Sequence, residues 1–233
     1  MTAQTSCPLG QELTNTLRKI SSQYCEKEGG SHGPDHSDRV YSMAIAMGRR
    51  MEARLDILAA AALLHDIGRR YETESKGGVC HASKSAEMAI KILTELDVAP
   101  DSIEHVAHCI RSHRFRSDER PQSVEAQILF DADKLDSIGA IGIGRAFLFA
   151  GQIGAKLHDA EIDHNSTHSY SIEDTAYREF QVKMSRVRDQ MLTPIGCELA
   201  EKRHAFMEVF FDELNREIYG SDIGELNKQN NAK

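Results

Sequence analysis

Apolar positions along this chain recur at intervals of three and four. No stretch of useful length alternates apolar with polar residues, so the pattern predicts an all-α protein. Leu13, Leu17, Ile20 and Tyr24 outline a first amphipathic helix that stops at Gly29-Gly30. After the breaker Ser31-His32-Gly33-Pro34, Asp35 can cap a helix starting at about His36, with Val40, Met43, Ala44 and Met47 on one face. The next segment is different. Ala59 to Leu64 has no polar face, which predicts a helix from about Arg54 to Asp66 that is buried on all sides. Arg69 to Cys80 reads as a loop with Gly77-Gly78 in it, and His81 then heads a helix whose core face is Ala86, Ala89, Ile90, Leu93 and Leu96.

Pro100-Asp101 opens another helix, carrying Ile103, Val106, Ala107 and Ile110 and ending in Ser112-His113-Arg114-Phe115-Arg116. Ser123 caps a helix through Ile128, Leu129 and Phe130 into Asp131-Ala132-Asp133-Lys134-Leu135-Asp136. Gly139, Gly142 and Gly144 interrupt the pattern, which suggests close backbone packing or a turn and not a regular surface helix. Residues 158–171 are polar and read as a long loop, a candidate lid. Tyr177, Phe180, Met184, Val187 and Met191 mark a helix, and Thr193-Pro194 starts a last one that Gly220 ends.

The pattern also raises an energetic question. The most apolar helix ends in His65-Asp66, and burying an unpaired imidazole and carboxylate there would cost several kcal/mol. A divalent metal answers it, because it takes a nitrogen and a carboxylate oxygen at once. Two further polar features stand where an apolar residue would be the default: His36 at one helix start, and an acidic residue inside Asp131-Ala132-Asp133. Two imidazoles and two carboxylates from three helices suit Mn, Mg, Co, Ni, Fe or Zn, and leave positions open for water and substrate. Asp133 and Asp136 share a helix face while Asp131 points elsewhere, but spacing alone does not choose the ligand among them.

Composition narrows the field. A chain of 233 residues can bury one large core, and a net charge of −8 argues against bulk binding to nucleic acid or an anionic membrane. With no 18-residue apolar run and no signal-peptide pattern, the expectation is a cytoplasmic protein. The five dispersed cysteines, with no CxxC pair, read as reduced thiols. No G-x-S-x-G, P-loop or strand-preceded GxGxxG is present, and the absence of Trp with only 6 Tyr and 8 Phe offers no stacking platform for single strands.

The order His36, then His65-Asp66, then Asp133 resembles the H…HD…D signature of the HD-domain metal-dependent phosphohydrolases. Leu63-Leu64-His65-Asp66-Ile67-Gly68-Arg69, Cys80-His81-Ala82, His113-Arg114-Phe115-Arg116 and Gly139-Ala140-Ile141-Gly142-Ile143-Gly144-Arg145 look like a subgroup of short, stand-alone members, one type of which is a nucleoside triphosphate pyrophosphohydrolase. The resemblance is strong over about 32–154 and looser through helices at about 172–220. It implies one all-α HD domain over 1–220, with 221–233 a flexible tail.

It further implies His36, His65, Asp66 and Asp133 as metal ligands, with Asp131 and Asp136 as supporting, capping or solvent-facing groups. Asp66, His81 and His113 are the catalytic candidates. Some family members use two further histidines for a second metal, and His81 with His113 match those positions. Arg69, Arg114, Arg116, Lys134 and Arg145 are candidate phosphate contacts, since guanidinium forks match phosphate oxygens in pairs. His105 and His108, by contrast, read as helix-surface or satisfied core residues. The implied reaction turns a (deoxy)nucleoside triphosphate into monophosphate and pyrophosphate, with a small phosphorylated nucleotide as the partner. A nucleotide phosphomonoesterase or phosphodiesterase, a non-catalytic nucleotide- and metal-binding regulatory module, and a di-iron oxygenase are the alternatives.

Overall fold

The computed structural model describes residues 10–25, 34–114, 119–159 and 166–221, and no strand occurs among them. In chain order the helices are α1 (Gln11–Cys25), α2 (Pro34–Arg50), α3 (Leu55–Leu64), α4 (Arg69–Glu74), α5 (His81–Glu95), α6 (Pro100–Ser112), α7 (Val124–Leu135), α8 (Gly139–Gln152) and α9 (Ala176–Val182). A 3-10 segment (Met184–Gln190) and the long α10 (Pro194–Tyr219) complete the order. The chain divides into two compact units, Met1–Asp136 with Met191–Cys197, and Ser137–Gln190 with Glu198–Lys233.

In the first unit α3 is the axis. Every residue from Ile57 to Leu64 is buried, as a helix apolar all round requires. Helices α1, α2, α5, α6 and α7 all pack against it. Its four consecutive alanines present little side chain, so neighbouring helices can approach closely. The helix ends where His65-Asp66-Ile67-Gly68 turns toward α5. A Cβ on Gly68 would lie 2.6 Å from the Ser85 nitrogen and 2.9 Å from the His81 carbonyl, so only glycine fits there. The Gly68 N–H donates to Ser85 Oγ at 2.9 Å, which fixes the turn that presents His65 and Asp66.

Helix α7 is anchored at both ends. Ser123 Oγ accepts from the Ala126 N–H at 3.1 Å, the expected cap. Near its C-terminal end Asp131 turns away from α3 and accepts from Leu192 N and Thr193 N, both at 2.8 Å, and from Thr193 Oγ1 at 2.6 Å. A Cβ on Gly196 would lie 2.2 Å from Asp131 Oδ2, so the start of α10 needs glycine to reach that carboxylate. In the second unit Phe180 and Phe211 stack at 4.7 Å, with Met184, Val187 and Met207 buried beside them in the sequence pattern. Arg178 is buried there and satisfied by Asp174 at 2.7 Å and the Thr167 carbonyl at 3.0 Å.

The helical expectation holds, and three local readings change. The stretch 69–80 contains α4, whose first residues already carry site chemistry. The glycines at 139–144 lie within α8, because the apolar residues among them and after them supply a helix-spaced buried face, Ile143, Ala146 and Ala150. The helix expected over 177–191 ends at Val182 and gives way to the tighter 3-10 segment, which still buries Met184 and Val187. Of the expected loop over 158–171, residues 160–165 lie outside the described residues, as do 222–233 of the expected tail. No helix among the described residues is long and apolar enough to cross a membrane.

Replacing Asp131 with alanine strands three donors at the junction with α10 and is expected to lower stability by about 2–4 kcal/mol. Urea denaturation followed by circular dichroism measures this, and an unchanged midpoint would contradict the anchoring role.

Candidate metal centre

Four buried imidazoles converge at one end of α3: His36 from the first turn of α2, His65 from the end of α3, His81 from the start of α5 and His113 from the end of α6. Each spends its Nδ1 on an acceptor outside the cluster. His65 Nδ1 lies 2.8 Å from the Ala62 carbonyl and His113 Nδ1 2.6 Å from the Ile110 carbonyl. A carbonyl can only accept, so these Nδ1 atoms carry the proton and the Nε2 atoms are lone pairs. His36 Nδ1 sits 2.7 Å from Asp136 Oδ2, and His81 Nδ1 2.5 Å from Glu72 Oε2, with the same consequence while the rings are neutral. All four Nε2 atoms therefore face inward.

They face each other and two carboxylates. His36 Nε2 and His65 Nε2 are 3.3 Å apart. Asp66 Oδ2 lies 3.7 and 3.8 Å from them, and Asp133 Oδ1 3.4 and 3.9 Å. Lone pairs so arranged repel unless a positive centre lies among them. Bonds of about 2.1 Å produce ligand separations of roughly 3.4 Å at tetrahedral angles, so closing His36, His65 and Asp66 on a divalent cation takes a contraction of a few tenths of an ångström, with Asp133 facing both imidazoles. The donor set, two neutral imidazoles with two carboxylates, fits a divalent transition metal or Mg.

Electrostatics agrees. Burial disfavours charge on Asp66, but the guanidinium of Arg69 holds its pKa well below the usual carboxylate range. Burial works against charge on Asp133 too, and the neighbouring Lys134 ammonium keeps it ionised. Burial likewise opposes charge on His36, yet hydrogen bonds to Asp133 and Asp136 lift its pKa to about 9. Without a cation, a proton on His36 partly fills the same need. Burial pushes His65 and His81 down and takes His113 to about 3.

A second trio shares Asp66. Its Oδ1 lies 3.4 Å from His81 Nε2 and 3.8 Å from His113 Nε2, and those two nitrogens are 3.4 Å apart. This set could also hold a cation. It differs from the first in having a positive group beside it. Arg69 forks onto Asp66 with Nε to Oδ2 at 2.8 Å and Nη2 to Oδ1 at 3.0 Å, and Nη2 comes within 3.4 Å of His81 Nε2.

The other expected phosphate contacts separate. Lys134 is placed at the cluster, with Nζ 2.6 Å from Asp133 Oδ2 and 3.1 Å from the His113 carbonyl. Arg114 pairs with Glu72 at 2.7 Å, beside His81. Arg116 lies outside the described residues, and Arg145 belongs to the other unit, half-buried on α8. His105 and His108 are satisfied at a distance from these groups, His105 by Ser123 and Glu125, His108 by Glu119 and the Gln122 N–H.

Three supporting residues escaped the sequence reading. Glu72 ties His81 to Arg114. Arg39 holds Asp136 through Nε to Oδ1 at 2.7 Å, and so steadies the carboxylate behind His36. Ser85 takes the Gly68 N–H. The signal for two of them was helical spacing: Arg39 follows His36 by three positions, and Glu72 follows Arg69 by three, once α4 is known to be a helix.

The chain matches the family model of the HD domain over residues 35–138. YpgQ of Bacillus subtilis strain 168, an uncharacterised protein, is 34% identical over 199 residues, covering 84% of this chain and 88% of its own length. The crystal structure of YpgQ in complex with ADP superposes with a TM-score of 0.68 at 29% identity, covering 88% of this chain and 97% of that one. An HD-superfamily hydrolase from Bacillus thuringiensis superposes with a TM-score of 0.70 at 27% identity, covering 90% and 98%.

Asp136→Ala removes the acceptor that orients His36 while sparing every inward-facing atom. It is expected to weaken Mn binding by about 10- to 100-fold. Isothermal titration of the purified apoprotein measures this, and unchanged affinity would contradict a role for Asp136 in presenting His36.

Proposed function

The chain belongs to the HD-domain superfamily of metal-dependent phosphohydrolases, and we propose that within it this protein hydrolyses (deoxy)nucleoside triphosphates to monophosphate and pyrophosphate. The observation that carries this is the joining of the His36, His65, Asp66 and Asp133 donor set to three basic side chains, Arg69, Arg114 and Lys134, each paired with a carboxylate of the site, Asp66, Glu72 and Asp133. A polyphosphate needs both, one to polarise the reacting phosphorus and one to hold the charge on either side of it. The ADP complex of YpgQ supports a nucleotide as the ligand class.

His36, His65, Asp66 and Asp133 would hold the metal. When bound there, a divalent cation supplies polarisation of a phosphoryl oxygen and a lowered pKa for water. The remaining chemistry belongs to side chains. Asp66 divides its two oxygens, Oδ2 toward His36 and His65 and Oδ1 toward His81 and His113, so it can orient an attacking water between the two sets. His81 is neutral, with its Nε2 lone pair directed inward and its Nδ1–H held by Glu72, so it accepts the proton that water loses. Glu72 and Asp66 then face the imidazolium so formed. His113 is kept neutral by burial and serves as a fixed acceptor beside it.

Arg69 has a double task. It keeps Asp66 ionised and aligned, and its guanidinium lies beside the inward-facing trio, where negative charge builds on the phosphoryl oxygens. Lys134 and Arg114 extend the positive charge along the polyphosphate. This arrangement favours one metal with Arg69 as the second positive centre over two metals. Manganese is the first metal to try, given the mixed nitrogen and oxygen donors.

The test is a hydrolysis panel of nucleoside and deoxynucleoside tri-, di- and monophosphates and cyclic nucleotides, with Mn, Mg, Co, Ni or Zn and chromatographic separation of products. Monophosphate and pyrophosphate should appear from triphosphates only, vanish with EDTA and return with added metal. Asp66→Ala should abolish turnover, and Arg69→Ala should lower kcat by about 10² to 10³. Free phosphate from monophosphates, or opening of cyclic nucleotides, without cleavage of triphosphates would replace this reading with the phosphomonoesterase or phosphodiesterase one. Tight metal and nucleotide binding without turnover would replace it with the regulatory one.

A further inference from the structure

Helix α10 carries two stripes. One is the core stripe Ala200, His204, Met207 and Phe211, all buried. The other lies on the far side: Leu199, Lys202, Phe206, Val209, Glu213 and Arg216, alternating steps of three and four. Phe206 is 49% and Val209 67% exposed, in a helix whose hydrophobic residues could have been confined to the core side. Scattered exposed apolar residues need no explanation, but a stripe with a period of 3.5 matches the seam between two paired helices. It spans about 26 Å of helix axis.

We propose that this stripe is a homodimer interface, in which α10 pairs antiparallel with α10 of a second copy about a two-fold axis between residues 207 and 208. The argument is charge complementarity. In that register Phe206 opposes Val209 of the partner subunit, Lys202 opposes the partner's Glu213, and Leu199 lies along the stem of the partner's Arg216. The two-fold repeats each contact, giving an apolar centre flanked by two oppositely charged pairs. A parallel in-register pairing would instead set Lys202 against the partner's Lys202 and Glu213 against the partner's Glu213. Sliding the antiparallel pair by seven residues either way puts Phe206 against the partner's Lys202 or the partner's Arg216. Only the first register satisfies both the apolar and the charged positions.

A neighbouring helix widens this surface. Helix α8 runs beside α10, with a Cβ on Gly139 meeting the Arg203 side chain at 2.9 Å and the rings of Phe147 and Phe210 6.1 Å apart. Leu148 of α8, 50% exposed, adds apolar area on that helix pair. A stable interface needs about 800 Å² from each partner, more than one helix stripe supplies, so participation of α8 is part of the proposal. Within one chain Lys202 pairs with Glu198 at 2.7 Å, and Glu213 pairs with Arg216. Such exposed pairs hold little and exchange readily for partners across an interface.

Sedimentation velocity on the full-length protein tests this. The wild type should sediment as a dimer of twice 26.0 kDa at tens of micromolar. Lys202→Glu and Glu213→Lys each create two like-charged pairs and should raise the dissociation constant at least tenfold. Mixed in equal amounts, these two variants should dimerise again, because in the mixed pair both crossings are of opposite charge. Circular dichroism checks that each variant is folded, and Phe206→Glu should remain monomeric in every mixture. A wild type that stays monomeric at 100 µM overturns the proposal. So does a dimer insensitive to these substitutions, or a mixture that associates no more tightly than its components.

Discussion

Four imidazole Nε2 atoms and two ionised carboxylates pointing at one another, with a proton favoured only on His36, are the constraint on which the first unit depends. Left alone they repel in a place where water cannot screen them. Every surrounding contact is a means of holding them there regardless. The Ala62 and Ile110 carbonyls, Asp136 and Glu72 each take an Nδ1–H, so no ring can turn its lone pair away without losing a buried hydrogen bond. Arg69 and Lys134 keep the carboxylates charged. The cluster is therefore organised for a cation before any cation arrives, and the cost of that organisation falls on the helices that carry it.

Helix α7 shows how one short element serves several ends. Asp133 and Asp136, three positions apart, leave the helix on one face, and Asp131, two positions before Asp133, leaves on another. Asp131 goes out to the start of α10, Asp133 goes in to the donor set, and Asp136 goes across to His36 and Arg39. Three identical side chains thus anchor a distant segment, join the buried donor set and hold His36. Their pKa values diverge accordingly: burial raises that of Asp131, while burial of Asp133 is overridden by Lys134 and the histidines.

Much of this was legible in the order of residues. The wholly apolar run before His65-Asp66 implied a helix buried on all sides, and from that followed the need for something to satisfy the pair. The separation of Asp131 from the face shared by Asp133 and Asp136 was also readable from helical geometry. What stayed hidden was contact across sequence. Glu72 lay in a polar stretch that reads as a loop, and its partners His81 and Arg114 are 9 and 42 positions away. The close packing that the density of α8 glycines suggested is present at Gly142, where a Cβ would fall 2.3 Å from the Ser137 carbonyl oxygen. That these glycines lie within a helix was hidden, because low helix propensity is a weak prior that burial of the surrounding residues overrides. The anchoring of Leu192 and Thr193 by Asp131 spans about sixty residues, and no local pattern records it.

Because the donor set draws on α2, α3 and α7, none of its sites exists in the unfolded chain. A cation that binds only the folded arrangement must stabilise that arrangement, by about 2.7 kcal/mol at a hundredfold excess over its dissociation constant. Gly68 marks how tightly this coupling is drawn. The turn bearing His65 and Asp66 lies against α5 with no room for a methyl group, and α5 is the helix that begins with His81. Any movement of α5 therefore moves Asp66 and the His81 imidazole together, and close packing at one glycine keeps the two side chains in register.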